Sequence, residues 1–551
     1  MKNLLTRTIG VAIRTTREEE AAEVAAVAAV VAVAAVAAAG AVAVAEVAEV
    51  AKTTAITETR VTKTNNRTLL PNRIVTQTND YQRLPVGGRL VRFKQEWQKS
   101  YFRRIVSKGL TWKWKEGPPI MYKADNTWHQ PTSAHMDKDL WKLCRKKVIE
   151  RTKFLKFRSL LFSVPKRDPT ERRTILDLSQ LNEYITKTTF KMLTLRQVRL
   201  LLPMGAWTVS LDLKDGFWHV SIARAFRPYL GFRYRGQNWR FRAMPFGLNL
   251  APKVFSKLIA FTVRCMTKKG IWCLPYLDDL LIIARSKEEC LQKLQKAIEV
   301  LQRLGWIINM EKSRLEPQQV FEWLGIHYNL KKYEVRNTET QIHQFNSQMK
   351  AIWEKKTFTK RIIMRLQGLA NWLGQVDPLR RTVLSHTKAF LKHLRGVPLD
   401  TTLHMDNKLR SLISIWMNLP HTIQRLGIPE PTCIIQSDAS LTGYGFKIDQ
   451  RSYQGNFDRS MRSYSINVLE LLTIWMATLM IHKKDQAIRI LSDNSTAIAS
   501  INRASSVVYP LAGLTKMIWK RAAQMNWTIT AAHIQGRFNV IADQLSRNTV
   551  L

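Results

Sequence analysis

Two adjacent carboxylates, Asp278 and Asp279, stand between the apolar runs Leu274-Pro275-Tyr276-Leu277 and Leu280-Leu281-Ile282-Ile283. Apolar arms around a polar pair predict a tight β-hairpin, buried on both arms, with the acids at its bend. Asp is also an ordinary turn former, so the pair alone is equally a plain turn. Other acids end other apolar stretches. Trp207-Thr208-Val209-Ser210-Leu211 alternates like a strand and runs into Asp212; Cys433-Ile434-Ile435-Gln436-Ser437 runs into Asp438, and Ile488-Arg489-Ile490-Leu491-Ser492 into Asp493. Glu470 falls in a helical stretch, Asn467 to Ile481, and Asp543 follows His533 by ten residues. Each acid taken singly could be a cap or turn residue. Asp438, Glu470, Asp493 and Asp543 together, with His533 nearby, read as a metal site, because hard divalent cations take oxygen donors.

The elements around these acids are legible in outline. Asp137 to Arg151 reads as a helix, and Ser159 to Pro165 as a strand closed by proline. A basic turn from Lys166 then leads to a second strand, Arg172 to Leu178. Its plain reading is a solvated turn, but Lys166 and Arg173 are also suited to triphosphate oxygens. Met244-Pro245-Phe246-Gly247-Leu248 is a Gly-Pro loop before a helix that opens on Ala251-Pro252, a place where a phosphate or base pair can approach the backbone. Lys287 to Leu304 is amphipathic, Phe321 to Tyr328 reads as a small hairpin, and Thr338 to Leu394 is helical and basic. A new domain opens near Thr432.

Composition bounds the partners. The chain has 551 residues, room for roughly three or four domains. Lys and Arg number 86 against 42 Asp and Glu, a formal charge of +44 that points to a polyanion, nucleic acid first. A generally basic protein that binds RNA or membrane without specificity is the plainer alternative. Seventeen Trp favour nucleic acid, since aromatic faces stack on bases, although most will be core. The five cysteines form no close C-x-x-C pair, so neither a disulfide framework nor a zinc knuckle is indicated, and the chain reads as intracellular and reduced. Met1 to Arg17 weakly resembles a transit peptide. Ala21 to Ala51 is a low-complexity Ala/Val stretch, read as a partly helical extension rather than a membrane span, and Lys52 to Asn79 as a linker. Gly87 to Pro119 mixes basic and aromatic residues, which suits either a helical clamp on nucleic acid or, more commonly, a packed helix with a solvated basic face.

From about Gly87 to Arg547 the chain resembles the reverse transcriptase–ribonuclease H of retroelements. The resemblance rests on Val164-Pro165-Lys166 with Arg173 and Leu176-Asp177-Leu178, on Leu211-Asp212-Leu213-Lys214-Asp215, on Met244-Pro245-Phe246-Gly247-Leu248 and on Tyr276-Leu277-Asp278-Asp279, in the family's order. Gly87-Gly88-Arg89-Leu90, Asp438-Ala439-Ser440-Leu441-Thr442-Gly443, Ile466 to Leu471 and His533 to Arg547 look most like DIRS-type retrotransposons, which integrate with a tyrosine recombinase. No recombinase, protease, integrase or capsid zinc knuckle is visible, so the recombinase or integrase is expected from a separate reading frame. A gypsy-type or pararetroviral polymerase fragment is the neighbouring alternative.

The resemblance implies a mixed α+β fold, a right-hand polymerase with fingers, palm and helical thumb followed by an RNase H-like α/β domain. Its divisions are 1–86 extension and linker, 87–136 basic/aromatic segment, 137–330 fingers and palm, 331–431 thumb and connection, and 432–548 RNase H-like domain. It implies two Mg²⁺ per site, with Mn²⁺ an alternative. Asp212 and Asp278, supported by Asp279, hold the first pair of ions, and Asp438, Glu470, Asp493 and Asp543 the second, with His533 assisting. Lys166 and Arg173 grip the triphosphate, and Phe217 is an aromatic gate against the ribose 2′-hydroxyl. Phe246 and Gly247 lie on the template side, Phe246 where some relatives carry Gln. Lys312 lies near the pyrophosphate or is simply solvated. The implied partners are an RNA template, a DNA primer, an RNA–DNA hybrid and dNTPs, without a membrane, in the cytoplasm or nucleus. A defective or domesticated copy that only binds nucleic acid is the rival from another class.

Overall fold

A computed structural model describes residues 84–119, 134–165, 172–419, 422–459, 461–506 and 508–547. The expectations for the N-terminal extension and for Lys166 fall outside these residues. The fold is mixed α+β. No helix among the described residues is long and apolar enough to cross a membrane.

A four-stranded sheet carries the first group of acids. Its strands are β1 (Trp207–Asp212), β2 (Trp272–Tyr276), β3 (Asp279–Ala284) and β4 (Arg314–Gln318), in the order β2-β3-β1-β4. Successive side chains of a strand point to opposite faces, and β3 uses both. Leu280, Ile282 and Ala284 enter a core shared with the helices Ala251–Thr267 and Lys287–Arg303, while Leu281 and Ile283 enter a second core with Phe321, Trp323 and Tyr328. That is why the run is apolar without a break. β2 and β3 meet with Tyr276 opposite Asp279, so Leu277 and Asp278 alone make the turn, and Leu277 takes a left-handed φ of 52°. A leucine held there costs on the order of 1–3 kcal/mol. The helix Lys287–Arg303 starts cleanly because the Ser286 hydroxyl accepts the Glu289 N–H at 3.1 Å and Glu288 and Glu289 occupy the positive end of its dipole.

The helix expected over Asp137 to Arg151 is shorter, Ala134–Arg145. Lys147 turns left-handed (φ 53°), and its neighbour Val148 returns an N–H to Leu143, which ends the helix. Ile149–Arg151 is instead a strand, antiparallel to Gln237–Phe241. The basic/aromatic segment after Gly87 is a strap packed into the main core. Trp97 is wholly buried and donates its indole N–H to Leu304 O at 3.0 Å, while Trp112 and Trp114 pack on Phe226.

His219 is wholly buried in the same core and accepts the Ile307 N–H on Nε2 at 3.0 Å. Burial, reinforced by the Arg89 charge and opposed by Asp215 and the Gly216 carbonyl, pushes its pKa from 6.5 down to about 4. The unfolded chain therefore binds the extra proton between these values, so stability is full above pH 6.5 and is lost as pH falls toward 4. The expected loss across that window is roughly 3 kcal/mol. Thermal melts from pH 4 to 7 should slope accordingly, and His219→Gln should flatten them; an unchanged slope would assign the loss to other groups.

Beyond the sheet, Glu339–Lys355, Lys360–Leu373, Leu384–His393 and Asn407–Met417 form a helical unit with its own core. The short helix Pro378–Thr382 sits at a junction. Val376 belongs to the core under the first sheet, Leu379 to the core of the C-terminal unit, and Val383 and Leu384 to the helical core. Asp377 and Arg380 form an ion pair there at 3.3 Å, only 1% and 3% exposed.

The C-terminal unit is a five-stranded sheet of β5 (Cys433–Ala439), β6 (Gly443–Ile448), β7 (Arg451–Asn456), β8 (Ala487–Ser492) and β9 (Thr528–His533). Its order is β7-β6-β5-β8-β9; β5 to β7 are antiparallel, whereas β8 and β9 run parallel to β5. The helix Ile466–Leu479 packs on it with Tyr509–Met525. The last helix, Val540–Ser546, lies so close to β6 that a Cβ at Gly445 would fall 2.5 Å from Leu545 Cβ and 2.6 Å from the Ala542 carbonyl oxygen. Only glycine lets that helix bring Asp543 to the sheet.

Candidate active sites

β1 delivers Asp212 directly opposite Asp279 on β3, and the Leu213 N–H donates to Asp278 O at 2.9 Å, so the three half-buried acids share one end of the sheet. A third segment fixes Asp212. The Asn309 N–H donates to Asp212 O at 2.8 Å, the Ser313 hydroxyl accepts the Asp212 N–H at 3.0 Å, and the Asn309 side chain bonds the carboxylate. Burial is the main cause that raises the Asp212 pKa; Asn309 and the Lys312 charge oppose it, and Asp215 adds to it. Asp279 is pushed up to about 6 by burial and then by Asp212 and Asp278. Crowded carboxylates that resist ionising together are what a hard divalent cation relieves, so the donor set fits magnesium.

Phe217, just past Asp215, lies against Phe246 and Phe255 with ring centroids 5.1 and 5.2 Å apart. Gly247 is exposed, with φ 100°, and its carbonyl accepts from the Asn182 side chain at 2.8 Å. Lys312 is exposed but within electrostatic reach of Asp212. Arg173 stands opposite Val164 in the hairpin Leu161–Pro165/Arg172–Leu176, where its backbone alone is described.

In the C-terminal unit, Asp438 at the end of β5, Glu470 in the first turns of Ile466–Leu479 and Asp493 just after β8 offer oxygens all within 4.8 Å of one another. Asp438 and Glu470 are only 6% and 4% exposed, and Glu470 Oε2 has no hydrogen-bond partner. Burial, then Asp438 and Asp493, pushes Glu470 up to about 9. Asp438 is pushed to about 6, mainly by burial, although the Ser546 hydroxyl donates to it at 2.6 Å. An unpartnered buried carboxylate oxygen facing two more acids fits a divalent cation. Asp543 is half-buried, ion-paired with Arg547 at 2.8 Å, and lies outside that trio, although its charge reaches Asp438. His533, at the exposed end of β9, is the parallel neighbour of Ser492, which places it beside the Asp493 strand end.

Residues 164–328 match the family described as reverse transcriptase (RNA-dependent DNA polymerase). The chain carries a reverse transcriptase domain. Its relatives include the enzymatic polyprotein of Cauliflower mosaic virus (strain CM-1841), 23% identical over 360 residues that cover 61% of this chain and 49% of the polyprotein. The genome polyprotein of Petunia vein clearing virus (isolate Shepherd) is 24% identical over 232 residues, 42% of this chain and 10% of the relative. The chain thus spans about half the length of the first of these relatives. Among solved structures, a foamy viral protease–reverse transcriptase in complex with dsDNA is 16% identical with a TM-score of 0.48, covering 81% of this chain and 97% of that one.

The reverse transcriptase domain contains Asp212, Phe217, Phe246, Gly247, Asp278, Asp279 and Lys312; the cluster around Glu470 lies outside it. Sequence reading missed several residues that hold the domain's acids. Asn309 and Ser313 flank the chosen Lys312, and Lys146, which ion-pairs Asp215 at 2.5 Å, is 69 residues away in the chain. Only the short spacing Asn309-x-x-Lys312-Ser313 next to an amphipathic helix offered a local signal.

Proposed function

We propose that the chain is an RNA-directed DNA polymerase, also able to copy DNA, with ribonuclease H activity in its C-terminal unit. The observation that carries the reading is the pairing of Asp212 with Asp279, beside Asp278, at one sheet end within the segment that matches the reverse transcriptase family. Fingers and palm fall in 137–330, thumb and connection in 331–431, and the RNase H-like domain in 432–548. Asp212, Asp278 and Asp279 hold two Mg²⁺. When bound, the ions lower the pKa of the primer 3′-hydroxyl and neutralise the leaving pyrophosphate. Lys166 and Arg173 hold the triphosphate, Arg by bidentate contacts, and Lys312 stands on the pyrophosphate side. Phe246 offers the template base a ring face rather than a hydrogen bond.

Phe217 excludes the ribose 2′-hydroxyl by bulk, so Phe217→Ala should increase ribonucleotide incorporation on the order of tenfold relative to deoxynucleotides. Single-nucleotide insertion assays with dNTP and NTP read this directly, and an unchanged ratio removes the role.

Asp438, Glu470, Asp493 and Asp543 hold the second pair of ions, and His533 moves a proton during cleavage of the RNA strand of a hybrid. Specificity for RNA comes from its 2′-hydroxyls. We infer a DIRS-type affiliation from the likeness of Gly87 to Leu90 and of His533 to Arg547 to such elements; a tyrosine-recombinase frame beside its gene would support this.

The test is extension of a DNA primer on an RNA template by purified protein with Mg²⁺, followed for loss of the template. Tight, salt-sensitive binding without extension would instead favour a domesticated nucleic-acid-binding protein.

A further inference from the structure

The N-terminal strap is threaded behind the turn that presents Phe217. The Gly87 N–H donates to Lys146 O at 2.9 Å and the Gly88 N–H to Trp218 O at 2.8 Å. Arg89 is wholly buried; its Nε donates to Gly305 O at 2.9 Å and its Nη1 to Leu84 O at 3.0 Å, and its guanidinium lies over the Phe93 ring. A buried guanidinium spent on backbone carbonyls is costly to desolvate, so it marks a place where three chain segments are held in fixed relation.

The other side of that junction leads to the nucleotide site. His219 Nδ1 faces Gly216 O at 3.2 Å while Nε2 accepts the Ile307 N–H. These bonds require the neutral ring with its proton on Nδ1. Ile307 O accepts from Lys214, and the Asn309 N–H donates to Asp212 O at 2.8 Å. Strap, Gly305–Asn309 and Asp212–His219 thus form one continuous hydrogen-bonded unit. Phe217 lies inside it, its own ring held by Phe246 and Phe255 alone among the ring contacts described.

We propose that Arg89 and His219 are positioning residues for sugar selection: through them the strap sets where the Phe217 ring stands relative to Asp212. This rests on the polymerase reading above. Neither residue touches substrate. A displacement of about 1 Å in a positioned group can change rates by on the order of a hundredfold, and discrimination against one hydroxyl is more sensitive to ring placement than is bulk folding.

Gly87→Ala is the sharpest probe, because its added Cβ would fall 1.9 Å from the Lys147 carbonyl oxygen and the strap must shift. His219→Phe removes the acceptor for Ile307, whereas His219→Gln keeps one donor and one acceptor. Arg89→Lys keeps the charge but offers one nitrogen where two separate nitrogens now bond the Gly305 and Leu84 carbonyls, and it stands in if Gly87→Ala does not fold. Each soluble variant is assayed for kcat/KM with dNTP and with NTP on one primer–template, and for cleavage of a preformed RNA–DNA hybrid.

The expected result is a fall of about tenfold in the dNTP-to-NTP ratio for Gly87→Ala, Arg89→Lys and His219→Phe, with the ratio rescued in His219→Gln and hybrid cleavage unchanged. Unchanged ratios in the soluble variants overturn the proposal. So does a parallel loss of extension and cleavage at constant ratio, since that is a merely structural effect. A wild type that extends no primer overturns the polymerase reading itself, and this inference with it.

Discussion

Asp278→Asn will slow primer extension by about a thousandfold or more, the loss of about 4 kcal/mol of transition-state stabilisation expected when one carboxylate is removed from the proposed metal site. The substitution keeps size and turn propensity. The hydrogen bond that ties this turn to β1 is made by the Asp278 main-chain carbonyl, so it survives the change. The sheet end keeps its shape and loses one charge. Template–primer affinity should stay within about threefold, with the same salt slope, because the substitution removes none of the Lys and Arg charges that would neutralise phosphates. Rapid-quench extension and binding titrations at several salt concentrations measure the two quantities separately. Extension at the wild-type rate would remove Asp278 from the site, and a large loss of affinity would mean that the turn, not the charge, had been changed.

Glu470→Gln should have a comparable effect on the other centre and none on the first. Glu470 is nearly fully buried among Asp438 and Asp493, and its Oε2 is unpartnered. Gln fills the same space without the charge that a cation needs, so cleavage of the RNA strand should fall by on the order of a thousandfold while primer extension continues. A second readout needs no turnover. Ligand binding to the folded state raises stability, so Mg²⁺ should raise the melting temperature of the wild type more than that of the variant. Equal shifts, or undiminished cleavage, would remove Glu470 from the proposed metal site.

The acids were legible because the signal for each is local. An apolar run that stops on Asp, as at Asp212, Asp438 and Asp493, reports both the strand and its end. The Leu274 to Ile283 hairpin likewise announces itself, although its bend falls on Leu277 and Asp278 rather than on the two acids, Asp279 already belonging to β3. What holds the acids was not legible, because those contacts join positions far apart in the chain: Ile307 and His219 are 88 residues apart, and Lys146 and Asp215 are 69 apart. Lys147 gives no hint in its side chain that its φ will be positive, so the helix from Asp137 read too long. Arg89 looked like part of a solvated basic face and is instead interior, since its partners are carbonyls that composition cannot reveal. In the C-terminal unit the role of Gly443 and Gly445 in admitting the last helix, and Asp543 with it, is visible only once that helix is placed.

The short segment 376–384 has a mechanical consequence. Its side chains are anchored in three separate cores, and the Asp377–Arg380 pair between the anchors is shut away from water. A joint so pinned transmits torque and does not act as a swivel. Under the function proposed above, the two carboxylate centres would act like the fixed jaws of a caliper laid along one double helix: the span between the growing primer end and the RNA cut would be set by the protein, and fragments released during copying should share a common minimum length whatever the template sequence.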